Sequence, residues 1–208
     1  MKLFKPDNED AWFEFRRQHL TSTELAGIHL SKTARAWQEL REQKESGERW
    51  GGNQYTEWGT AREPILAPLV TDVDSRLDYN AEPQTIIINP DDERLCGTPD
   101  LFSEDGEVIG EIKTSKHQFT GGYWHNWCPD RYYLQVQANM WHSGAEACVL
   151  LVEYYKEQDG EFSPVEYEYQ VIHYDPTVVE DMQATAAQWF AWLDGTAPDW
   201  MGEVTSLE

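Results

Sequence analysis

Two short runs, Gly97-Thr98-Pro99-Asp100 and Gly110-Glu111-Ile112-Lys113, decide how this chain is read; Glu111 follows Asp100 by eleven residues. Residues two apart on a strand share a face, so Glu111 and Lys113 point the same way and Ile112 turns to the opposite side, into a core. A hairpin joining a strand over Arg94–Thr98 to one over Glu107–Lys113, with a turn at Glu104-Asp105-Gly106, would bring Asp100 beside Glu111. Two carboxylates that close repel unless a cation sits between them. An all-oxygen set selects a hard divalent ion, Mg²⁺ or Mn²⁺. Asp100, Glu111 and the main-chain carbonyl of Ile112 are the candidate ligands. Such an ion acidifies a bound water and offsets charge on a phosphoryl oxygen. Lys113 can orient or deprotonate that water, with its pKa lowered if the pocket is dry. A lone E-x-K is more often a solvated surface pair; the Pro-Asp upstream argues against that reading.

Outward from these runs, the middle of the chain reads as sheet. Thr85–Ile88 is β-branched and bounded by prolines, which marks a buried strand. Cys148–Val152 reads as a further strand, and Val165–Val171 alternates in the manner of a half-exposed one. Between them Pro129-Asp130 opens a helix that runs to about His142 and stops at Gly144. The first third reads as helical: a helix capped by Asp7 or Asn8, a short one opening at Thr21–Glu24, one over about Lys32–Glu45, and one over about Glu57–Val70 that Pro64 should bend or restart. Asp175-Pro176 opens a closing helix with an apolar stripe from Val179 to Leu193. The expected architecture is α/β (α+β): a mixed central sheet of about five strands flanked by helices, with a helical N-terminal part. A single domain over 1–208 would divide into a mainly helical part (1–70), the sheet with its paired carboxylates (84–175) and a C-terminal helix (176–195).

Composition bounds the rest. The 208 residues include 10 Trp, 10 Tyr and 7 Phe, too many aromatics for a disordered chain. No stretch is long and apolar enough to span a membrane. The N-terminus lacks the apolar run of a secretory signal, so a cytoplasmic protein is expected. Three scattered cysteines suit a reducing compartment and cannot make a four-thiolate metal site. The net charge of −22 argues against a general nucleic-acid surface. Residues 1–62, however, balance ten basic against ten acidic side chains, and residues 63–208 carry the whole excess. An anion-binding surface should therefore draw on the first third. The six histidines show no metal-ligand spacing and receive no role.

The central pattern is that of the restriction-endonuclease-like PD-(D/E)xK nuclease core. Three further blocks accompany it in order: Trp12-Phe13-Glu14-Phe15-Arg16 leading into Leu20–Glu24; Trp58-Gly59-Thr60-Ala61-Arg62-Glu63; and Gly121-Gly122-Tyr123 before Tyr132–Trp141, with its Gln135-Val136-Gln137-Ala138-Asn139-Met140-Trp141 run. Together they resemble the lambda-exonuclease and YqaJ-type viral recombinase family over about residues 10–195. The resemblance implies metal ligation by Asp100, Glu111 and the Ile112 carbonyl, a catalytic Lys113, Gln135 at the attacking water or scissile phosphate, and Glu63 as an auxiliary acid. It implies a terminal 5′-phosphate held by Arg16 and Thr23, with Arg17 as a rival to Arg16. Gln18 replaces a family glycine, and Pro64 follows Glu63 where an amide residue is usual. The aromatic run Tyr123–Trp127 can be core or can line a DNA path by base stacking.

The function implied is Mg²⁺-dependent 5′-to-3′ digestion of linear double-stranded DNA, with two metal ions and Mn²⁺ as a substitute. Products would be mononucleotides and 3′ overhangs for recombination. A homotrimeric ring, a phage single-strand annealing protein as partner, and the cytoplasm of a bacterial host complete the expectation. Two alternatives stay open: another nuclease of this core, an endonuclease or a Cas4-like enzyme, and a non-catalytic module that binds DNA ends.

Overall fold

The computed structural model of the chain describes residues 1–31, 33–49 and 51–196. Nine strands and six helices form among them. The larger sheet has the order β3 (Leu77–Tyr79), β6 (Leu101–Ser103), β7 (Val108–Ser115), β8 (Ala147–Gln158), β9 (Glu161–His173). All its neighbours are antiparallel except β7 and β8, which run parallel with Glu111 opposite Leu150. Parallel neighbours need a crossover, and α5 (Asp130–Ser143) provides it.

The hairpin that serves Asp100 differs from the one expected. Its first strand is β6, which begins just after Asp100 and pairs Leu101 with Gly110. The Arg94–Thr98 stretch shortens to β5 (Leu95–Gly97) and joins a second sheet of order β1 (Lys2–Phe4), β4 (Ile86–Ile88), β5, β2 (Leu20–Thr21). The first third is therefore not purely helical. Two strands of two and three residues lie in it, too short to show a period in sequence.

The helices otherwise sit near their expected places. Asn8, not Asp7, caps α1 (Glu9–Gln18), and α2 (Ser22–Ser31) follows β2 directly. Helix α3 (Ala34–Ser46) is capped by Thr33 and stops at Gly47, with Lys32 outside the described residues. Helix α4 (Gln54–Val73) runs unbroken through Pro64 and Pro68. The reason is one of placement. Thr60, Pro64 and Pro68 form a single exposed stripe, so the carbonyls that lose a partner to each proline face water. Helix α6 (Pro176–Leu193) starts on an Asp175 cap.

Two cores result. On one face of the larger sheet, Leu66, Ala67 and Val70 of α4 pack on Leu101, Ile112, Val149 and Leu151. Gly110 makes that contact possible, since a Cβ there would press on Leu101 and Val70 at 3.0 Å. On the other face α2, α5 and α6 enclose Ile109, Cys148, Leu150, Met140 and Trp189. The last strand is less covered than its alternation suggests. In β9 only Ile172 is buried, because α4 reaches no farther than β8.

Helix α4 is also tied to β8 by a bidentate ion pair: Arg62 Nε and Nη2 donate to Glu153 at 2.8 and 2.6 Å, with the Glu153 side chain only 5% exposed. Breaking such a pair leaves a buried charge unpaired. Arg62→Ala is expected to lower stability by roughly 3–5 kcal/mol in urea denaturation, and the double change Arg62→Met with Glu153→Leu should recover most of the loss.

Candidate active site

Glu111 is the centre of the site. It is 1% exposed, in the middle of β7. Its Oε1 accepts from Lys113 Nζ at 2.5 Å and from Gln135 Nε2 at 2.6 Å, and its Oε2 accepts from Asn139 Nδ2 at 3.1 Å. The strand period places Lys113 beside it; the helical i, i+4 spacing places Gln135 and Asn139 on one face of α5. Asp100 joins from the start of β6. Its Oδ2 accepts from the Ile112 N–H at 2.7 Å, which locks the carboxylate against β7. An N–H and C=O of one strand residue share an edge, so the Ile112 carbonyl faces the same side, past the end of β6.

Asn80, which no sequence signal singled out, clamps the approach. Its N–H donates to the Asp100 carbonyl at 2.8 Å and its Nδ2 to the Pro99 carbonyl at 3.0 Å. The Pro-Asp step is thus held from behind by a side chain about twenty residues upstream, a pairing that spacing alone cannot reveal.

The electrostatics are those of too many acids for one base. Burial raises the Asp100 carboxyl well above its usual range, and the charge of Glu111 raises it further. Glu63, on α4, is pushed up to about 7, first by burial, against the lowering pull of Lys113, with Glu111 and Glu82 adding to the rise. Lys113 goes the other way from expectation. Burial would lower its pKa, but Glu111 and Asp100 together raise it above the ordinary lysine value. The ammonium therefore stays charged. Among the described residues no three His, Cys, Asp or Glu side chains close on one point. The donors on offer are two carboxylates and a main-chain carbonyl, an all-oxygen set, and this fits a hard divalent cation.

The phosphate candidates lie close by. Arg16 stacks on Trp12, 4.2 Å from the ring centroid, and donates through Nη1 to Thr98 Oγ1 at 2.9 Å. Thr98 precedes Asp100 by two residues. Arg17 is engaged elsewhere, with two bonds to Glu14 and one to the Lys44 carbonyl. Thr23 stands half-buried in the first turn of α2. The parallel pairing of β2 with β5, Thr21 opposite Cys96, carries that helix start to the Gly97–Thr98 segment. Of the aromatic run, Trp124 and Trp127 pack on the core and Tyr123 projects, 86% exposed.

The fold is of the restriction-endonuclease-like PD-(D/E)xK type. A family model described as "YqaJ-like viral recombinase domain" matches residues 11–146, and the chain belongs to that family. Among solved structures, the fold is similar to the alkaline exonuclease LHK-Exo from Laribacter hongkongensis (18% identity, 96% of this chain and 100% of that chain, TM-score 0.67). The complex of LHK-Exo with dAMP matches at 17% identity over the same shares, with a TM-score of 0.65. A phage related exonuclease from Haemophilus somnus 129PT matches at 15% identity over 85% of this chain and 95% of that one, TM-score 0.62. No curated protein sequence matches the chain.

The raised Glu63 carboxyl has a consequence for stability. A folded-state pKa of about 7 against an ordinary 4.5 means that the folded chain holds this proton longer than the unfolded one. Its stabilising share is complete below the ordinary value and is lost as pH rises through about 7. In metal-free buffer, urea midpoints of the wild type should therefore fall between pH 5 and pH 8 more steeply than those of Glu63→Gln.

Proposed function

We propose that the chain is a Mg²⁺-dependent exonuclease that digests one strand of linear double-stranded DNA from its 5′ end, releasing 5′-mononucleotides and leaving 3′ overhangs. The observation that carries this reading is the convergence of Lys113, Gln135 and Asn139 on the buried Glu111, with Asp100 bonded to the neighbouring Ile112 N–H. Family membership supports the recombination context. The exonuclease names of the structural relatives, one of them solved with a mononucleotide, support the reaction.

Asp100, Glu111 and the Ile112 carbonyl would hold the metal, with a second ion in the complete site and Mn²⁺ able to substitute. When bound, the metal acidifies a water and offsets charge on the scissile phosphate. Lys113, an ammonium beside its acidic neighbours, orients the water and bonds a phosphate oxygen. Glu63, titrating about 7, can take up a proton near neutrality. Gln135 keeps Glu111 in register from α5. Arg16 offers a guanidinium suited to two parallel bonds with a terminal phosphate, and Thr23 adds a hydroxyl at a helix start whose free N–H groups favour an anion. A homotrimeric ring around the duplex and a phage single-strand annealing protein on the exposed overhang complete the reading, in the cytoplasm of a bacterial host.

End-labelled linear duplex with Mg²⁺ should lose its 5′ label first and a covalently closed circle should stay intact, whereas Lys113→Ala should cut neither while keeping its circular-dichroism spectrum. Nicking of the circle would point to an endonuclease instead. Arg16→Ala should erase the preference for a 5′-phosphorylated over a 5′-hydroxyl end, read as the ratio of initial rates on the two substrates.

A further inference from the structure

The Glu111 carboxylate has a directional imbalance that its neighbours explain. A carboxylate oxygen accepts along about two lone-pair directions. Both directions of Oε1 are used, by Lys113 and Gln135. Oε2 receives a single bond, from Asn139. The oxygen left with capacity for a metal is therefore the one that Asn139 holds.

Asn139 is itself held in one orientation. It is 1% exposed. Turning the amide over would set its carbonyl against the Glu111 carboxylate, so Nδ2 must face Glu111 and Oδ1 must face away. That Oδ1 is buried and accepts no hydrogen bond. It lies against Gly97, where a Cβ would overlap Asn139 Oδ1 and come within 2.7 Å of Ser22 Oγ and 3.2 Å of His142 Cδ2. Three residues on along α5, His142 completes the arrangement. Asn89 Oδ1 accepts from the Asp91 and Asp92 N–H groups, so Asn89 Nδ2 is the donor to His142 Nδ1, at 2.9 Å. The neutral imidazole then carries its proton on Nε2, also buried and without a partner. The His142 ring thus borders the same Gly97 gap as the Asn139 amide oxygen.

We propose that Asn139 is a positioning residue that sets the direction of the free lone pair on Glu111 Oε2 toward the divalent ion, with the bare Gly97 leaving room for the amide. This rests on the nuclease reading above. The ordinary alternative is that Asn139 only fills the seam between α5 and the sheet.

Calorimetric titration with Mn²⁺ alone separates the two. Asn139→Ala and the similarly shaped Asn139→Leu should both keep the wild-type far-ultraviolet spectrum and bind Mn²⁺ about tenfold or more weakly, the usual cost of losing a residue that orients a ligand. Turnover of Asn139→Ala on linear duplex should return toward wild type as Mn²⁺ is raised, a shift in the metal requirement rather than in kcat. Gly97→Ala, which pushes on the same amide from another element, should weaken Mn²⁺ binding in the same way. Folded Asn139 variants that bind Mn²⁺ within twofold of wild type would overturn the proposal, and so would loss of fold in both, which marks a structural residue. Wild-type protein that binds no Mn²⁺ and digests no DNA would instead bring down the nuclease reading, and this inference with it.

Discussion

A fully buried carboxylate in the middle of a β-strand is the constraint around which this molecule is organised. An unpaired carboxylate in such a place would cost several kcal/mol, and Glu111 avoids that cost with three donors drawn from two elements. Lys113 comes with the strand. Gln135 and Asn139 require α5 to lie across β7 in one register, and the parallel β7–β8 pairing fixes where α5 must start and end. Asp100 adds a second acid against the same strand. The polar contacts therefore specify the relation of helix to sheet, while the apolar cores on either side supply the driving force.

Much of this was legible before any coordinates. The alternation of Glu111, Ile112 and Lys113 gave the facing directly, and Pro-Asp marked the second acid. Three strands of the larger sheet, β7, β8 and β9, and the caps of α1 and α6 followed from turn chemistry and period, whereas β3 and β6 gave no signal and the expected strands at Thr85–Ile88 and Arg94–Thr98 went to the second sheet. Other features left no trace at the level of spacing. β1 and β2 are too short for a period, so the separation of β4 and β5 into a second sheet was invisible, and the three-residue β6, the true partner strand of the hairpin after Asp100, was missed for the same reason. Pro64 was expected to interrupt its helix because sequence does not say which face of a helix meets water. The direction of the Lys113 shift was missed because dryness and neighbouring charge oppose each other there, and only packing decides which prevails. Asn139 could have been found: it lies four residues from Gln135, on the same helical face.

The acidity of the chain also takes on a shape. The basic side chains of α1, of α3 and at Arg49 just after it are mostly tied to acids: Arg17 to Glu14, Arg35 to Glu39, Arg41 to Glu45, Lys44 to Glu24, Arg49 to Asp10. Arg16 stands apart from these, with an aromatic ring and a threonine hydroxyl as its near contacts. A chain of this charge holds anions by focus rather than by field, with a few directed donors set within a repelling surround. Long-range attraction is traded for selectivity toward ligands that can reach those donors.

The two sheets differ greatly in span. Glu111 and Lys113 sit on a strand of eight residues, whereas Thr98 and the start of α2 hang from strands of two or three. Short ladders have few bonds to break and open first. On warming, the small sheet would fray while Glu111 and its donors were still in place. Under the proposed function, thermal inactivation would begin as blindness to termini rather than as collapse of the cation site.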